Sequence, residues 1–210
     1  MERLHLSRAS TTLTAAIIAI AMSVMFFLVP STANAATQEP DDPIPAAVQG
    51  MDAYLYRSAD GIIVLDESSA RQAGYSSASI DAIESNLTGM NEMISDGAIS
   101  DDTFTVTLSV QTTRAGGQSK IVRYWWGLVE VYLNSSEARR VADVYDNLST
   151  AAQVLSGILK KYSLAAQAAA VVYAVSAYQF RKAASGNRGI VITMSPNVDT
   201  GLYTYWVISQ

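Results

Sequence analysis

The sequence predicts an α+β protein in which antiparallel strands pack on a central apolar, Ala-rich helix, beside a smaller N-terminal lobe of a hairpin and helices. In residues 104–110, apolar side chains alternate strictly with hydroxyl-bearing ones, which is typical of a half-buried strand. Residues 162–180 hold no charge and are rich in alanine, which favours a buried helix. The predicted strands follow one another in pairs and the predicted helices in groups, rather than alternating one by one, and this order favours an antiparallel sheet.

The first 35 residues have the pattern of a secretory signal peptide. Arg3 and Arg8 supply a positive start, residues 13–29 are uncharged, and a small-x-small motif ends at Ala35. We expect cleavage before Ala36 and a secreted, extracellular product. An uncleaved N-terminal membrane anchor is the alternative.

Residues 36–46 are predicted to form a disordered linker, because prolines and acids crowd this stretch. Residues 47–102 then form an acidic N-terminal lobe. Two β-prone runs flank Asp60-Gly61, which is typical of a hairpin turn. A helix follows, with apolar residues at three- and four-residue spacing between Ile80 and Ile94, and it ends before Gly97.

Residues 103–210 are predicted to form a C-terminal α+β lobe. It begins with the alternating strand, and residues 121–133 are predicted to form a second long strand with a bulge at Gly127. Helices are expected over residues 136–161 and, as one continuous apolar helix, over 162–180. Two terminal strands complete this lobe.

The residue composition excludes several kinds of active site. The chain has no Cys and one His, His5, which would be removed with the signal peptide. Zinc sites, Cys nucleophiles and Ser-His-Asp triads are therefore excluded from the mature chain. Three acid pairs lack the spacing of a calcium loop: Asp41-Asp42, Asp66-Glu67 and Asp101-Asp102. We therefore expect no enzyme activity, no metal and no cofactor.

Charge divides unevenly along the chain. Residues 36–102 hold 13 acids and 2 bases, whereas residues 103–210 hold 5 acids and 10 bases. This asymmetry has two interpretations: the N-terminal lobe is simply acidic, or it covers a basic, apolar partner in the same chain. The bases are scattered in sequence, and an exported acidic chain is not expected to bind nucleic acid.

Two features of the C-terminal lobe are candidates for interaction. Aromatic residues on the predicted strands provide a candidate interaction surface: Tyr124, Trp125, Trp126, Tyr203, Tyr205 and Trp206. Such rings suit a glycan, a membrane interface or the protein's own core. In the uncharged stretch, Ala166, Ala170 and Ala174 share one helical stripe, which would allow close helix contact in a core or in lipid. This stretch is the candidate membrane-active helix.

Two short motifs flank the helical part of the C-terminal lobe. They are Arg123-Tyr124-Trp125-Trp126-Gly127 and Asn187-Arg188-Gly189-Ile190-Val191-Ile192. Residues 120–210, which contain them, resemble small secreted proteins of Gram-positive bacteria that are largely uncharacterised, some of them bacteriocin-like. The resemblance implies an extracellular product and supplies no catalytic residue.

These observations predict a secreted, disulfide-free, non-enzymatic binding protein. Its expected partner is a protein, a cell-surface polymer or a membrane outside the cell. The alternative is a latent, bacteriocin-like, membrane-active protein in which residues 103–210 act and the acidic half restrains them.

Overall fold

The computed structural model describes residues 44–110, 116–197, 200 and 202–210. The predicted signal peptide and linker residues 36–43 lie outside this part of the chain. The strands are β1 (Leu55–Arg57), β2 (Ile63–Leu65), β3 (Ile99–Ser100), β4 (Thr105–Val110), β5 (Ser119–Tyr124), β6 (Val129–Leu133), β7 (Ile190–Asn197) and β8 (Leu202–Ser209). The α-helices are α1 (Glu67–Gln72), α2 (Ser77–Ser95), α3 (Ser135–Ala142), α4 (Leu148–Leu159), α5 (Ala168–Ala174) and α6 (Ala177–Ala184). Short 3-10 turns lie at Ala46–Val48, Met51–Tyr54, Lys160–Tyr162 and Ala165–Gln167.

The strands form two antiparallel sheets, and the α+β class is confirmed. β1 pairs with β2, while β3 to β8 form a six-stranded sheet in chain order. Each strand of the larger sheet therefore pairs with its neighbours in sequence. Helices α3 to α6 are inserted between its fourth and fifth strands, β6 and β7.

The hairpin and long helix of the N-terminal half form as the sequence predicts. Gly61 has a positive φ of 79° in the hairpin turn. The hydroxyl of Ser76 accepts a hydrogen bond from the Ser79 amide at the start of α2. Asn91 joins the two elements, since its side chain accepts from the Ile63 amide and donates to the Ile63 carbonyl, each at 2.8 Å.

The prediction of one strand over residues 121–133 is wrong. The Gly127 amide donates to the Tyr124 carbonyl, and the Tyr124 amide donates to the Leu128 carbonyl, both at 2.9 Å. Gly127 has a φ of 102°, so this segment is a tight hairpin turn between β5 and β6 rather than a bulge. The side-chain amide of Asn86 on α2 donates to the carbonyls of Tyr124 and Trp125 and holds the turn.

The prediction of one continuous apolar helix over residues 162–180 is also wrong. Ser163 has a φ of 59°, and Val175 is extended at the end of α5. Ser176 then starts α6 with a capping box, in which its hydroxyl and the Gln179 side chain satisfy each other's backbone amides. This stretch thus contains the start of a second helix, and its lack of charged residues gives no sign of that start.

The buried apolar face of α4 includes Ala151, Leu155 and Leu159.

One core joins the N-terminal and C-terminal halves. Its members include Ile83 of α2, Ile121 of β5, Leu155 of α4 and Phe180 of α6. We call the sheet face that carries Ile121, Val131 and Ile192 the inner face; these three residues pair directly across β5, β6 and β7. The opposite side is the outer face.

Candidate functional site

A row of residues crosses the outer face in register. Val122 on β5 lies opposite Glu130 on β6, Glu130 opposite Thr193 on β7, and Thr193 opposite Trp206 on β8. Directly opposed side chains on one face lie about 5 Å apart at their Cβ atoms and so contact each other. Together with two flanking tyrosines, the polar and aromatic members form what we call the outer cluster: Tyr124, Glu130, Tyr132, Thr193 and Trp206.

Glu130 is the centre of the outer cluster. The residue is only 6% exposed. The hydroxyl of Tyr132 donates to its Oε2 at 3.0 Å, and the hydroxyl of Tyr124 donates to the same oxygen at 3.3 Å. Among the residues that the structure describes, none donates to Oε1. One carboxylate oxygen is therefore held by two tyrosine hydroxyls, and the other keeps its capacity to accept hydrogen bonds.

The two tyrosines are fixed as hydrogen-bond donors. Burial and the neighbouring charge of Glu130 raise the pKa of Tyr124 to about 12. The same two causes raise the pKa of Tyr132. A phenolate beside the carboxylate would be both desolvated and repelled, so the neutral phenol is favoured. Both hydroxyls consequently stay protonated at neutral pH and keep the carboxylate in one orientation.

Two polar atoms of the outer cluster are buried and have no hydrogen-bond partner among the residues that the structure describes. They are the Thr193 Oγ1 and the Trp206 Nε1. Thr193 itself is 0% exposed. An unsatisfied buried polar group costs about 1–3 kcal/mol, so such groups in a folded protein call for an explanation. The outer cluster thus contains the Thr193 hydroxyl and the Trp206 indole N–H as donors and the Glu130 carboxylate as an acceptor.

Lys120 borders the outer cluster. It lies directly opposite Tyr132 in the register of β5 and β6. Its ammonium is 4.3 Å from the centre of the Tyr132 ring, which is within the range of a cation–π contact. The contact holds the Tyr132 ring on the outer face and places the Lys120 ammonium at the edge of the outer cluster.

The six aromatic residues of the predicted interaction surface do not form one surface, although the ring centroids of Tyr124 and Trp126 lie 6.0 Å apart. Tyr124 and Trp206 lie on the outer face, as part of the outer cluster. Trp125 and Trp126 are in the β5–β6 turn, where they are 5% and 6% exposed and belong to the core.

The remaining two aromatic residues of that prediction lie on the inner face. Tyr203 and Tyr205 are on β8, with ring centroids 6.3 Å apart. The Tyr205 hydroxyl donates to the Gln167 side chain at 3.1 Å, whereas Tyr203 is 43% exposed. The sheet thus separates the predicted surface into parts that face different directions.

Two members of the outer cluster, Glu130 and Thr193, are absent from the sequence-based candidates; Tyr132 belongs to the aromatic residues that the sequence places on strands, although not to the six of the predicted surface. A signal for Glu130 exists in the alternation of residues 129–133, which places Glu130 and Tyr132 on the face opposite Val129 and Val131. Thr193 has no local signal, because it sits in an otherwise apolar run. Its position depends on the register between β6 and β7.

The alanine stripe does not form a contact between helices. Ala166 and Ala174 are exposed and Ala170 is half-buried. Only two of the three lie in one α-helix, since Ala166 belongs to a 3-10 turn. In the part of the chain that the structure describes, no helix has the length and apolar character needed to cross a membrane.

Asp66, from one of the three acid pairs in the sequence, serves local structure. Hydrogen bonds from Ser69 and Ser68 lower the pKa of Asp66, which caps α1. Across residues 44–110, 116–197, 200 and 202–210, no group of three or more His, Cys, Asp or Glu residues is placed to hold a metal ion. Within the same described residues, the ion pairs Glu67–Arg71, Glu137–Lys161 and Asp146–Arg181 each lie inside one half of the chain.

No protein-family model matches the chain, and neither a curated protein nor a solved structure is significantly similar to it. The resemblance to secreted Gram-positive proteins therefore stays a prediction. The chemistry of the outer cluster is the basis for a functional proposal.

Proposed function

We propose that this chain is a secreted, non-enzymatic binding protein whose outer cluster binds a hydroxyl-rich ligand, a glycan of a cell-surface polymer. One observation carries the proposal. The Glu130 carboxylate accepts hydrogen bonds only at Oε2 among the described residues, and Thr193 Oγ1 on the next strand and Trp206 Nε1 on the strand after that have no partner among them.

The residue types of the outer cluster suit a sugar. A carboxylate oxygen accepts strongly from hydroxyl groups, and such charge-assisted hydrogen bonds are roughly twice as strong as neutral ones. The indole N–H of Trp206 donates, and the hydroxyl of Thr193 does both. Aromatic rings beside these groups provide an apolar surface for the C–H face of a sugar ring. A few fixed polar groups among apolar ones are typical of ligand sites.

The tyrosine contacts fix the Glu130 carboxylate before a ligand arrives. Tyr124 and Tyr132 hold one of its oxygens, so the side chain has little freedom to lose when a ligand binds. Preorganised groups of this kind lower the entropy cost of binding. Thr193 Oγ1 and Trp206 Nε1 are buried, so a ligand has to displace the groups that cover them in order to supply the hydrogen bonds that they lack.

The test is a glycan screen with residues 36–210, followed by titration of the best ligand into three variants. Removing the negative charge in Glu130→Gln should weaken binding by tenfold or more, since hydrogen bonds to charged groups contribute about 1.5–3 kcal/mol. Thr193→Val, which keeps the side-chain shape, should also weaken binding. Thr107→Val is the matched control, because Thr107 lies on the outer face but opposite Val122 rather than beside Glu130.

Two results would count against the proposal. One is a screen in which no glycan binds the folded chain. The other is a glycan that binds all three variants as well as it binds the parent, which would place the site elsewhere on the surface.

A further inference from the structure

The six-stranded sheet ends in two edges of different character. One edge is β3, which has two residues and is followed directly by Asp101 and Asp102. The other edge is β8, which has eight residues and contains no charged residue, no Pro and no Gly. Proteins commonly protect a sheet edge by keeping its strand short or by placing charges or prolines on it. The β3 edge has such protection, whereas the β8 edge lacks it.

The backbone of β8 presents hydrogen-bonding groups to its free side. The Gln210 amide donates to the Gly189 carbonyl at 3.0 Å, so these two residues form a hydrogen-bonded pair at the end of the β7–β8 ladder. Such pairs alternate with non-hydrogen-bonded pairs along an antiparallel ladder, and in the latter the N–H and C=O groups point away from the partner strand. The residues of β8 that therefore turn these groups away from β7 are Tyr203, Tyr205, Val207 and Ser209. No backbone hydrogen bond to these groups occurs among the described residues.

The free side of β8 is accessible at both ends of the strand. Leu202 and Tyr203 are 59% and 43% exposed, and Ser209 at the other end is exposed as well. Between these ends, Tyr205 and Val207 are half-buried. Open backbone groups along a sheet edge are the template on which another extended strand pairs.

We propose that β8 pairs antiparallel with β8 of a second copy of this chain, around a two-fold axis at Trp206. In this register Tyr203 lies opposite Ser209 of the second copy, and Tyr205 lies opposite its Val207. All of the outward backbone groups then exchange N–H···O=C bonds across the interface. An axis centred on Tyr205 instead would leave Ser209 without a partner inside β8, because the residue opposite it would precede the strand.

Two features favour a second copy as the partner. Because β8 carries no charge, no like charges meet when it faces itself; on the outer face Thr204 lies opposite Ile208, and the two Trp206 side chains lie opposite each other. The pairing also uses the long edge of each copy and leaves only the short β3 edges outermost, so the assembly closes at two copies. The dimer depends on the backbone of β8 and does not require glycan binding.

Sedimentation velocity of residues 36–210, which contain all the described elements, tests the association over a concentration series. Pairing along one strand buries less than the roughly 800 Å² per partner of a typical stable complex, so we expect a reversible dimer with a micromolar dissociation constant.

Two substitutions of Tyr203 test whether the backbone makes the contact. Tyr203→Pro removes an outward N–H and should weaken dimerisation by about tenfold or more, whereas a proline is tolerated on an edge strand whose N–H faces solvent. Tyr203→Ala is the matched control, because it removes the ring but keeps the N–H, and it should dimerise nearly as well as the parent.

Cysteine cross-linking tests the register, since the chain has no Cys of its own. In the proposed dimer Thr204 and Ile208 of the second copy form a non-hydrogen-bonded pair, whose Cα atoms are about 4.5 Å apart and within reach of a disulfide. A mixture of Thr204→Cys and Ile208→Cys chains should therefore form a disulfide-linked dimer in the presence of a mild oxidant. Each variant alone should cross-link much less, because its two thiols lie on opposite sides of the axis.

Three results would overturn the proposal: a chain that stays monomeric up to about 1 mM, a folded Tyr203→Pro variant that dimerises as well as the parent, or a mixture that cross-links no more than the separate variants. Assembly beyond two copies would contradict the closed dimer. If Tyr203→Pro does not fold, the cross-linked mixture decides. A monomeric chain that binds a synthetic peptide of residues 202–209 would assign the edge to a peptide partner instead.

Discussion

The two faces of the six-stranded sheet are equally buried in places but differ in the row of residues that crosses β5, β6 and β7 on each face. On the inner face, Ile121, Val131 and Ile192 are each 0% exposed and contact the helices of the core. On the outer face, Glu130 is 6% exposed and Thr193 is 0% exposed. The inner row is apolar, whereas the outer row contains a carboxylate and two buried atoms without partners.

This difference teaches that burial alone does not locate function. Burying apolar side chains stabilises the fold by about 25 cal/mol for each Å² removed from water. Burying a polar atom without a partner costs free energy instead. The apolar row of the inner face therefore provides stability, and the polar row of the outer face carries a free-energy cost. Four measurements test that contrast.

The largest effect is expected from a matched pair of isoleucines. Ile121 on the inner face is fully buried, whereas Ile208 on the outer face is half-buried. Ile121→Ala should lower the free energy of unfolding by about 3–4 kcal/mol, because it removes apolar contacts and leaves a cavity. Ile208→Ala should cost about 1 kcal/mol, since that site is partly in water. Urea denaturation of both variants measures the difference. Equal losses would mean that the outer face is as much a core as the inner one.

The next effect is the response of stability to alkaline pH. Burial and Glu130 raise the pKa of Tyr124 to about 12, and burial raises the pKa of Tyr145 among the helices. Because the folded pKa exceeds the unfolded value of about 10, this stability is fully present below pH 10 and is lost as the pH rises towards 12. For Tyr124, which is only half-buried, solvent screening reduces this loss to about 1 kcal/mol.

Phenylalanine variants separate the two faces in this pH range. The free energy of unfolding, measured by urea denaturation, should fall less steeply between pH 9 and pH 12 in Tyr124→Phe than in the parent. Tyr145→Phe should flatten a different part of this decline, and it should cost stability at neutral pH because the Tyr145 hydroxyl donates to the carbonyls of Val172 and Val175. A parent chain whose stability does not change up to pH 12 would refute the assigned burial of both hydroxyls.

Local sequence patterns identify the elements that depend on neighbours in the chain. The spacing of Ile80, Ile83 and Leu87 and the Asp60-Gly61 turn predict α2 and the β1–β2 hairpin. The alternation in residues 104–110 predicts β4. These elements form as predicted because their capping, turn and apolar signals lie within the element itself.

The outer cluster could not be predicted because it depends on pairing between distant parts of the chain. Glu130 and Thr193 are brought together by the register of β6 and β7, between which four helices intervene. The stretch predicted as one apolar helix differs for another reason, since Ser176 caps α6 inside it and the absence of charges gives no sign of that cap. The turn at Gly127 is not predicted from the sequence, because the residues on both sides of it are β-prone and favour one continuous strand.

A smaller, stabilising effect is expected from Thr193→Val. This substitution removes a buried hydroxyl that has no partner and replaces it with a methyl group of the same shape. The free energy of unfolding should rise by about 1 kcal/mol, the low end of the cost of an unsatisfied group. Thr107→Val, at a half-buried position of the same face, should change it by less than about 0.5 kcal/mol. Destabilisation of Thr193→Val would show that the hydroxyl has a partner in solution, and the contrast between the faces would weaken.

The smallest expected effect is a change in tyrosine ionisation when Glu130 becomes neutral. The carboxylate of Glu130 raises the pKa of both Tyr124 and Tyr132, after burial the next cause in each case. In Glu130→Gln that repulsion is absent, so both phenols should ionise at lower pH, while burial keeps their pKa values above the ordinary one. Absorbance at about 295 nm against pH should show the two latest-titrating outer tyrosines move earlier, and Tyr124→Phe identifies one of them. Tyr145, which has no such carboxylate as a cause of its raised pKa, is the internal control and should not move. An unchanged titration curve would mean that Glu130 does not contact the two hydroxyls, and the outer cluster would lose its centre.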